Sequence, residues 1–234
     1  MDSTNAEAKR QALSVESDFT PRLFIAREQT GGRGRMGRSF LSRAGRGIYI
    51  SLLYFTDKPL LDAVSVTTAA AAIVAEAIEK ATGNDMRIKW VNDIYNERGK
   101  VCGILAESLP ITIGRVAMVV GIGINVGEDN FPSELKNIAS SVGDVEGKEE
   151  ELISNVVRGL LLHAADPNDR AYMVGYRERF MLMGETVELF KNGELILSGK
   201  VEGVDDDGGL IFVPDGKDDA EIIRSGEISV RIDK

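Results

Sequence analysis

Cysteine and histidine are almost missing from this 234-residue chain, which contains one of each, Cys102 and His163. A single cysteine forms no internal disulfide, which is typical of proteins in a reducing compartment, so we expect a cytoplasmic location. One cysteine and one histidine are too few for a Cys/His structural zinc site, and a Ser/His/Asp triad would have to use His163. We expect His163 to lie near a helix end in a structural role and Cys102 to be a small buried hydrophobe.

Positive charge is also scarce, with 28 Lys and Arg residues against 37 Asp and Glu residues and a net charge of −9. This balance disfavours general affinity for nucleic acid or for an anionic membrane surface. The longest apolar stretch, residues 69–77, is interrupted by Glu76 and is too short to span a bilayer. No signal peptide is apparent, because the first residues are polar and charged. We therefore predict a globular protein that binds neither DNA nor a membrane, with one large core and a small second module.

Two common phosphate-binding motifs are absent as well. No Gly-Lys-Ser/Thr follows a glycine-rich segment, which excludes a Walker A loop. No Gly-x-Gly-x-x-Gly segment opens a helix, and Gly121-Ile122-Gly123 lies inside a predicted strand. A nucleotide site in this chain must therefore be of another kind.

The most distinctive stretch that is present covers residues 29–38, where Arg33, Arg35 and Arg38 alternate with glycines. Arginine offers a planar fork of donors to phosphate or carboxylate oxygens, and glycine lets the backbone approach a ligand closely. The stretch predicts a mobile loop that wraps an anion, although a solvated basic loop or an RNA-binding arm would have the same composition. Because the rest of the protein is acidic, a small anionic ligand fits better than a polyanion.

Both helices and strands are expected in the first 183 residues. Thr4 and Glu7 have capping-box spacing and predict a helix over residues 5–13. An alanine-rich helix ends near Ala81 before Gly83, and further helices are expected over residues 149–163 and 169–183. Strands are expected to end near Gln29 and to cover residues 47–54, 86–91, 100–107 and 116–126, with the 86–91 and 100–107 segments forming one hairpin.

Gly184 marks a boundary, after which short alternating apolar runs are separated by Gly and Asp turns. Short strands at this spacing predict a small β-barrel or sandwich over residues 184–234, following a first domain of residues 1–183. The acidic run at residues 205–209 lacks the pattern of a calcium loop and predicts a hairpin turn.

Polar residues gather at the predicted strand ends, where a sheet presents its chemistry. They are Gln29, Asn92, Asp93, Lys100 and Asn125. With the arginines of residues 29–38, they supply amides, cations and one carboxylate, a set that suits phosphoryl or nucleotidyl chemistry. The Ser3-Thr4-Asn5 segment at the start of the first helix either caps that helix or holds the polar head of a ligand.

Six segments occur in the order and spacing of the biotin protein ligases, and the chain resembles that family over almost its whole length. The segments are Ser3-Thr4-Asn5 and residues 32–38, 89–93, 100–107, 121–125 and 226–231. The resemblance implies an α+β fold, in which a mixed β-sheet packed with helices forms a class II synthetase-like catalytic domain over residues 1–183. An SH3-like β-barrel is implied over residues 184–234. It also implies the short form of the family, without an N-terminal DNA-binding domain, as a monomer or a homodimer.

The resemblance implies two reaction steps, with ATP, biotin and Mg²⁺ as cofactors. The biotin carboxylate attacks the α-phosphate of ATP and gives biotinyl-5′-AMP and pyrophosphate. A lysine of a biotin carboxyl carrier protein, part of acetyl-CoA carboxylase or a related biotin-dependent carboxylase, then accepts the biotinyl group.

Roles follow from the resemblance for individual residues. The implied catalytic residues are Lys100, next to the biotin carboxylate and the α-phosphate, Arg35, and Asp93, which orients Lys100 or receives the acceptor amine's proton. The implied biotin-binding residues are Ser3, Thr4, Asn5, Gln29, Gly32, Arg33, Gly34, Arg35, Lys100 and Gly103. The implied ATP-binding residues are Arg33, Arg35, Arg38, Asn92, Lys100 and Asn125, the last at the adenine, and no dedicated metal site is predicted.

The chain departs from the family at three places. Phe40 stands where the family usually has tryptophan and keeps an aromatic face for stacking, and Val91 stands where it has proline. Only Met1 and Asp2 precede Ser3, where relatives have an apolar strand. Either the sheet lacks an edge strand or the true start lies upstream, and an unanchored Ser3 and Thr4 would bind biotin more weakly.

Three other functions share these sequence features. A lipoate or octanoate ligase or transferase has the same fold, and a non-catalytic biotin-binding protein would keep the pocket without the chemistry. A nucleic-acid-binding module would use the arginines of residues 29–38, although the pI of 4.8 disfavours it. At single positions, Lys100 could be a surface lysine that opens a strand and Trp90 a core anchor.

Overall fold

A six-stranded sheet forms the larger part of the structure, a computed structural model that describes residues 1–15, 18–57, 63–112, 114–128, 130–224 and 228–232. Its strands stand in the order β1–β2–β6–β5–β4–β3. They are β1 (Arg22–Ala26), β2 (Gly47–Thr56), β3 (Arg87–Lys89), β4 (Asp93–Tyr95), β5 (Lys100–Thr112) and β6 (Arg115–Asn125). The long strands β2, β6 and β5 form the centre, and β2 pairs with β6 along its whole length.

Helices cover both faces of this sheet. They are α1 (Thr4–Leu13), α2 (Ala63–Thr82), α3 (Glu149–Ala165) and α4 (Tyr172–Arg179). Ile50 of β2 belongs to the main core with α2, whereas Leu53 packs with Ala8 and Ala12 of α1 on the other face. Because β2 is buried on both faces, its sequence is a nearly continuous apolar run rather than an alternation.

Small side chains let α2 lie close to the sheet. Ala70, Ala71 and Ala75 are fully buried, and the helix ends at Thr82, directly before the glycine that the sequence suggested as its end. In the part of the chain that the structure describes, no helix is both long and apolar enough to cross a membrane.

Two helix boundaries differ from the sequence-based expectation. The side chain of Ser3, rather than that of Thr4, caps α1 by accepting a hydrogen bond from the backbone N–H of Ala6 at 3.4 Å. Helix α4 covers only the middle of the predicted 169–183 segment, because Phe180 takes an extended conformation and ends it.

The prediction of a mixed sheet is wrong for the pairings between named strands, which are all antiparallel. Helix α2 does connect two strands of the same direction, β2 and β3, but three other strands lie between them. The predicted single hairpin also divides in two, because a tight turn after Lys89 inserts β4 between β3 and β5.

The second sheet contains the strands that follow Gly184, in the order β10–β9–β8–β7–β11. They are β7 (Thr186–Lys191), β8 (Glu194–Val204), β9 (Leu210–Pro214), β10 (Glu221–Ile223) and β11 (Ile228–Ile232). In the described residues, β10 and β11 lie at opposite edges, so the closed barrel stays a prediction. Val187 and Phe212 of this sheet belong to the same core as the first sheet, and the boundary at residues 183/184 also stays a prediction.

The prediction of a hairpin turn at residues 205–209 is confirmed by the pairing of Val204 with Leu210. This turn also contacts residues from the first part of the chain. The indole N–H of Trp90 donates to the carbonyl of Gly208 at 2.9 Å. Arg170 and Arg177 form ion pairs with the aspartates of the turn at 3.0 and 2.5 Å. Trp90 is thus a core anchor, only 4% exposed, as one interpretation of the sequence suggested.

His163 lies buried between α3 and α4 rather than in a reactive site. Its ring packs edge-on against Tyr172, with 5.2 Å between ring centroids, and its Nε2 has no hydrogen-bond partner among the described residues. Burial lowers the pKa of His163, and the nearby charge of Arg170 lowers it further, whereas Asp169 and Asp166 raise it.

Because the pKa of His163 is lowered in the folded protein, protonating this residue at low pH destabilises the folded state. Below about pH 6.5 the unfolded chain binds this proton more readily than the folded protein, so the free energy of unfolding should fall as the pH drops. His163→Phe keeps the ring contact but cannot be protonated, so its stability should change less between about pH 7.5 and about pH 5.5. Urea unfolding at both pH values measures the difference, and an equal pH dependence in both proteins would contradict this role.

Candidate active site

A cavity of about 460 Å³ opens where the first sheet, the start of α1, the Gly/Arg loop (residues 29–38) and β11 meet. It brings together all the predicted site residues except Gly32 and Asn125. Those that line it are Ser3, Thr4, Asn5, Gln29, Arg33, Gly34, Arg35, Arg38, Asn92, Asp93, Lys100 and Gly103.

One end of the cavity is built on the side chain of Gln29. Its Oε1 accepts hydrogen bonds from the backbone N–H of Thr4 at 2.8 Å and from the Thr4 hydroxyl at 3.1 Å. Its Nε2 donates to the Ser42 hydroxyl at 2.8 Å. A reversed amide would turn N–H groups toward the N–H of Thr4, so these bonds fix which way Gln29 points.

Ser51, a buried serine of β2, makes this end of the cavity rich in hydrogen-bond acceptors. Its Oγ lies 2.7 Å from Oγ1 of Thr4 and 2.6 Å from Oδ1 of Asn5. A serine hydroxyl has one proton, so at any moment one of the two acceptors receives none from Ser51. A ligand that brings N–H groups, such as an amide or a urea, would supply the missing donor.

The start of the chain is anchored at this end of the cavity, although only two residues precede Ser3. The backbone carbonyls of Met1 and Asp2 accept hydrogen bonds from the N–H groups of Thr30 and Gly31 at 3.1 and 2.8 Å. The side chain of Thr4 is held as described by Gln29. The concern that Ser3 and Thr4 lack an anchor is therefore not supported by the structure.

The wall between the two ends has no side chain at Gly121 and Gly123 of β6, and neighbours fill the space. A Cβ atom at Gly121 would lie 1.9 Å from Oδ1 of Asn5, and one at Gly123 would lie 2.5 Å from the Phe40 ring. Phe40 also packs edge-on against Tyr49, with 6.4 Å between ring centroids. Glycine at both positions thus makes room for Asn5 and Phe40, and Phe40 supplies an aromatic surface to the cavity.

The opposite end of the cavity is cationic and centres on Lys100. Its Nζ lies 2.6 Å from Oδ1 of Asp93 in an ion pair, although the atoms are not aligned as a hydrogen bond. The backbone of Lys100 donates to the carbonyl of Ile138 at 2.9 Å and accepts from the N–H of Ser140 at 2.8 Å. The ammonium group therefore stands on a fixed strand start rather than on a mobile surface segment.

Further cations share this end with Lys100. Burial lowers the pKa of the half-buried Lys89, Asp93 raises it, and the charges of Lys100, Arg231 and Arg38 lower it. Since these four cations repel one another around one carboxylate, an anion with several charges, such as a polyphosphate, would stabilise the arrangement.

Arg35 ties the Gly/Arg loop to the turn before β4 and to β11 of the second sheet. One guanidinium nitrogen donates to Oδ1 of Asn92 at 2.6 Å, and another donates to the carbonyl of Ile228 in β11 at 3.1 Å. The amide nitrogen of Asn92 donates in turn to the carbonyl of Ile104 at 2.8 Å. The loop is thus held at the cavity by a side chain that also contacts the second sheet.

Two predicted site residues lie beside the cavity rather than in its wall. A Cβ atom at Gly32 would lie 2.4 Å from the carbonyl oxygen of Phe40, so glycine allows the loop to close on itself. The amide nitrogen of Asn125 donates to the carbonyls of Ser140 and Lys100 at 3.0 and 3.4 Å. Asn125 therefore holds the segment that supports Lys100, and its contact with adenine stays a prediction.

Among the residues at or next to the cavity that were not predicted as site residues, three have a signal in the sequence. Ser51 is the one hydroxyl-bearing aliphatic residue in the apolar run 48–54, Lys89 opens the 89–93 segment, and Arg231 ends the 226–231 segment. Residues 226 and 227 of that last segment lie outside the described residues. Charge at the strand ends was the signal to follow for Lys89 and Arg231.

Comparisons with known proteins identify a family with these features. The model of the biotin/lipoate A/B protein ligase family matches residues 1–125, more than half of the chain. The bifunctional ligase/repressor BirA of Bacillus subtilis (strain 168) is 35% identical over 201 residues, covering 81% of this chain and 61% of that relative. The biotin--[acetyl-CoA-carboxylase] ligase of Paracoccus denitrificans is 31% identical over 234 residues, covering 90% of each chain. The chain thus spans only about three fifths of the Bacillus relative but nearly all of the Paracoccus relative.

Solved structures agree with this similarity. The biotin protein ligase from Aquifex aeolicus in complex with biotin and ATP has a TM-score of 0.78 at 26% sequence identity, covering 99% of this chain and 96% of that chain. A mutant of the same Aquifex ligase in complex with biotin has a TM-score of 0.79, also at 26% identity, covering 100% of this chain and 96% of that chain. The α+β architecture of antiparallel sheets and few helices is therefore shared with these proteins.

The closeness of Gly121 to Asn5 predicts a large effect of a single methyl group. Gly121→Ala should lower the free energy of unfolding by about 1–3 kcal/mol, because Asn5 must move from its buried position. Gly31→Ala is the matched control, since its Cβ would meet its nearest neighbour at an ordinary 3.5 Å. Urea unfolding measures the free energy of unfolding of both variants. Equal values would show that Asn5 can move aside without a loss of stability.

Proposed function

We propose that this chain, which belongs to the biotin/lipoate A/B protein ligase family, is a biotin protein ligase. It activates biotin with ATP to biotinyl-5′-AMP and transfers biotin to a lysine of a biotin carboxyl carrier protein. The observation that carries the proposal is a single cavity with an acceptor-rich end at Thr4 and Asn5 and a cationic end at Lys100. The name of the Paracoccus relative and the biotin and ATP bound in the Aquifex structure support the same assignment.

Biotin suits the acceptor-rich end better than the alternative acids of the same fold family. The ureido ring of biotin carries two N–H donors, whereas lipoate and octanoate carry none. With either of those acids, Thr4 or Asn5 would lack a donor inside a buried site, at a cost of about 1–3 kcal/mol. The apolar wall with Phe40 then covers the ring system and chain of the ligand.

In the first step, a carboxylate oxygen of biotin forms a bond to the α-phosphorus of ATP. Pyrophosphate leaves with the electron pair of the broken P–O bond. The ammonium group of Lys100 offsets the repulsion between the two anions and stabilises the charge that develops on the phosphorus oxygens. Lys89, Arg38 and Arg231 stabilise the charge of the departing pyrophosphate.

In the second step, the carrier lysine's amine attacks the carbonyl carbon of the adenylate. AMP leaves with the electron pair of the broken C–O bond, and the nitrogen gives up a proton. Asp93 is the single carboxylate among the described residues that line the cavity, so it accepts this proton or keeps Lys100 in place through the ion pair.

Mg²⁺ is expected to arrive with ATP, and the cavity fits a metal ion held in that way. The described residues contain no group of three His, Cys, Asp or Glu side chains that could hold a metal. Mg²⁺ at nucleotide sites needs only one or two carboxylates together with the substrate's phosphates. Asp93 would be the carboxylate in this role, and it would share its charge between the metal ion and the ammonium group of Lys100, which lies 2.6 Å from its Oδ1. When bound, Mg²⁺ supplies neutralisation of the phosphate charge.

The finer parts of the proposal rest on the family resemblance. They are an SH3-like arrangement of residues 184–234, contact of Asn125 with adenine, and a cytoplasmic monomer or homodimer without DNA binding. The carrier is acetyl-CoA carboxylase or a related biotin-dependent carboxylase, which the name of the Paracoccus relative supports.

The role of Lys100 predicts a loss of the first step without its ammonium group. Wild-type protein should catalyse biotin-dependent exchange of labelled pyrophosphate into ATP, and Lys100→Ala should lower the rate about 100- to 1,000-fold. Lys136→Ala, at an exposed lysine that does not line the cavity, is the control and should keep the wild-type rate. Full exchange by Lys100→Ala would remove Lys100 from the mechanism, and no exchange by folded wild-type protein would exclude the proposed reaction.

The contacts of Arg35 predict a second effect, on retention of the intermediate. Arg35→Gly removes the bonds to Asn92 and Ile228, so the loop should open and release biotinyl-AMP. Biotinylation of a bystander protein such as serum albumin should rise at least about tenfold, because two charge-assisted hydrogen bonds are lost and each is worth about 1.5–3 kcal/mol. Arg43→Ala, at an exposed arginine near the same loop, should leave bystander labelling unchanged. If Arg35→Gly labels albumin no more than wild type does, the loop does not confine the adenylate.

A further inference from the structure

Glu107 of β5 contacts the acceptor-rich end of the cavity from behind and does not line the cavity itself. Its Oε2 accepts a hydrogen bond from the amide nitrogen of Asn5 at 2.9 Å, and its Oε1 pairs with the ammonium group of Lys9 at 2.7 Å. The carbonyl of Leu105 also lies 3.3 Å from the Asn5 amide nitrogen. Both N–H groups of the Asn5 side chain therefore have acceptors, and the charged one, Glu107, does not line the cavity.

These contacts decide which way the Asn5 amide points. In the observed orientation, Oδ1 of Asn5 faces Ser51, at 2.6 Å, and the bare wall at Gly121. A reversed amide would place Oδ1 against the Glu107 carboxylate and the Leu105 carbonyl, which accept hydrogen bonds but cannot donate them. Ser51 tolerates either orientation, because a hydroxyl both donates and accepts. The charged carboxylate of Glu107 is thus the strongest determinant of the orientation.

The orientation of Asn5 sets the chemistry that a ligand meets. With Oδ1 toward Ser51, Asn5 offers an acceptor to an N–H group of the ligand. With the amide reversed, it would offer N–H groups, which repel the N–H groups of a urea. The selectivity of this end of the cavity therefore depends on a residue that does not touch the ligand.

We propose that Glu107 is a positioning residue that fixes Asn5 as an acceptor and so favours acids with a cyclic urea over acids without N–H groups. This inference rests on the proposed function and extends it to a residue outside the cavity. The alternative is a structural role, in which Glu107 serves only to pair with Lys9 and to join α1 to β5.

The test compares variants of Glu107 with a matched removal of its ion pair. Glu107→Met and Glu107→Ala remove the acceptor, Glu107→Gln keeps one amide oxygen for Asn5, and Lys9→Met removes the ion pair but leaves the Glu107 carboxylate facing Asn5. Calorimetry gives the Kd of biotin, and steady-state kinetics of the ligase reaction give KM for biotin and for ATP. Thermal melting confirms that each variant is folded.

Glu107→Met and Glu107→Ala should raise Kd and KM for biotin roughly tenfold, with KM for ATP within about twofold of wild type. Glu107→Gln should recover part of the affinity, and Lys9→Met should bind biotin within about twofold of wild type. If either acceptor-removing variant fails to fold, the other one decides.

Two results would overturn the inference while leaving the proposed function intact. One is biotin affinity equal to wild type in a folded Glu107→Met or Glu107→Ala protein. The other is a loss in Lys9→Met as large as the loss in Glu107→Ala, which would assign the effect to the ion pair. A folded wild-type protein that neither binds biotin nor exchanges pyrophosphate would instead overturn the proposed function.

Discussion

The absence of side chains at Gly121 and Gly123 is the constraint on which the site depends. These residues lie in the central strand β6, where any Cβ atom would overlap Asn5 or Phe40. The space above these glycines lets Asn5, at the start of α1, and Phe40, just after the Gly/Arg loop, pack closely against β6. Both ends of the cavity are thus positioned against one rigid strand, which is how a fold holds two reacting groups at a fixed separation.

The cavity divides its chemistry between the two ends. At one end, the amides of Gln29 and Asn5 are oriented by their neighbours, so the surface presents acceptors in a fixed pattern. At the other end, Lys100, Lys89 and the arginines concentrate positive charge in a protein whose net charge is −9. Such a local field binds a multiply charged ligand without giving the whole protein affinity for polyanions. Arg35 connects the Gly/Arg loop with β11 of the second sheet.

Much of the site was predictable because its residues lie in short segments at strand ends and at one helix start. Lys100, Asp93 and the Gly/Arg loop were found in this way, and the structure places them in one cavity. Contacts between distant segments left no local signal. Arg35 and Ile228 are 193 residues apart, and Asn5 and Glu107 are 102 residues apart. The mixed sheet, expected from the family resemblance, is not found among the named strands, because β6, β5 and β4 lie between β2 and β3 and every pairing is antiparallel.

The most direct test of this account is a crystal structure of the protein with biotin and a non-hydrolysable ATP analogue. The account predicts ureido N–H groups within hydrogen-bond distance of Thr4 and Asn5, and the biotin carboxylate and α-phosphate both beside Lys100. The remaining phosphates should lie among Lys89, Arg38 and Arg231. Biotin bound with its ureido ring away from the start of α1, or a nucleotide bound outside the cationic end, would contradict it.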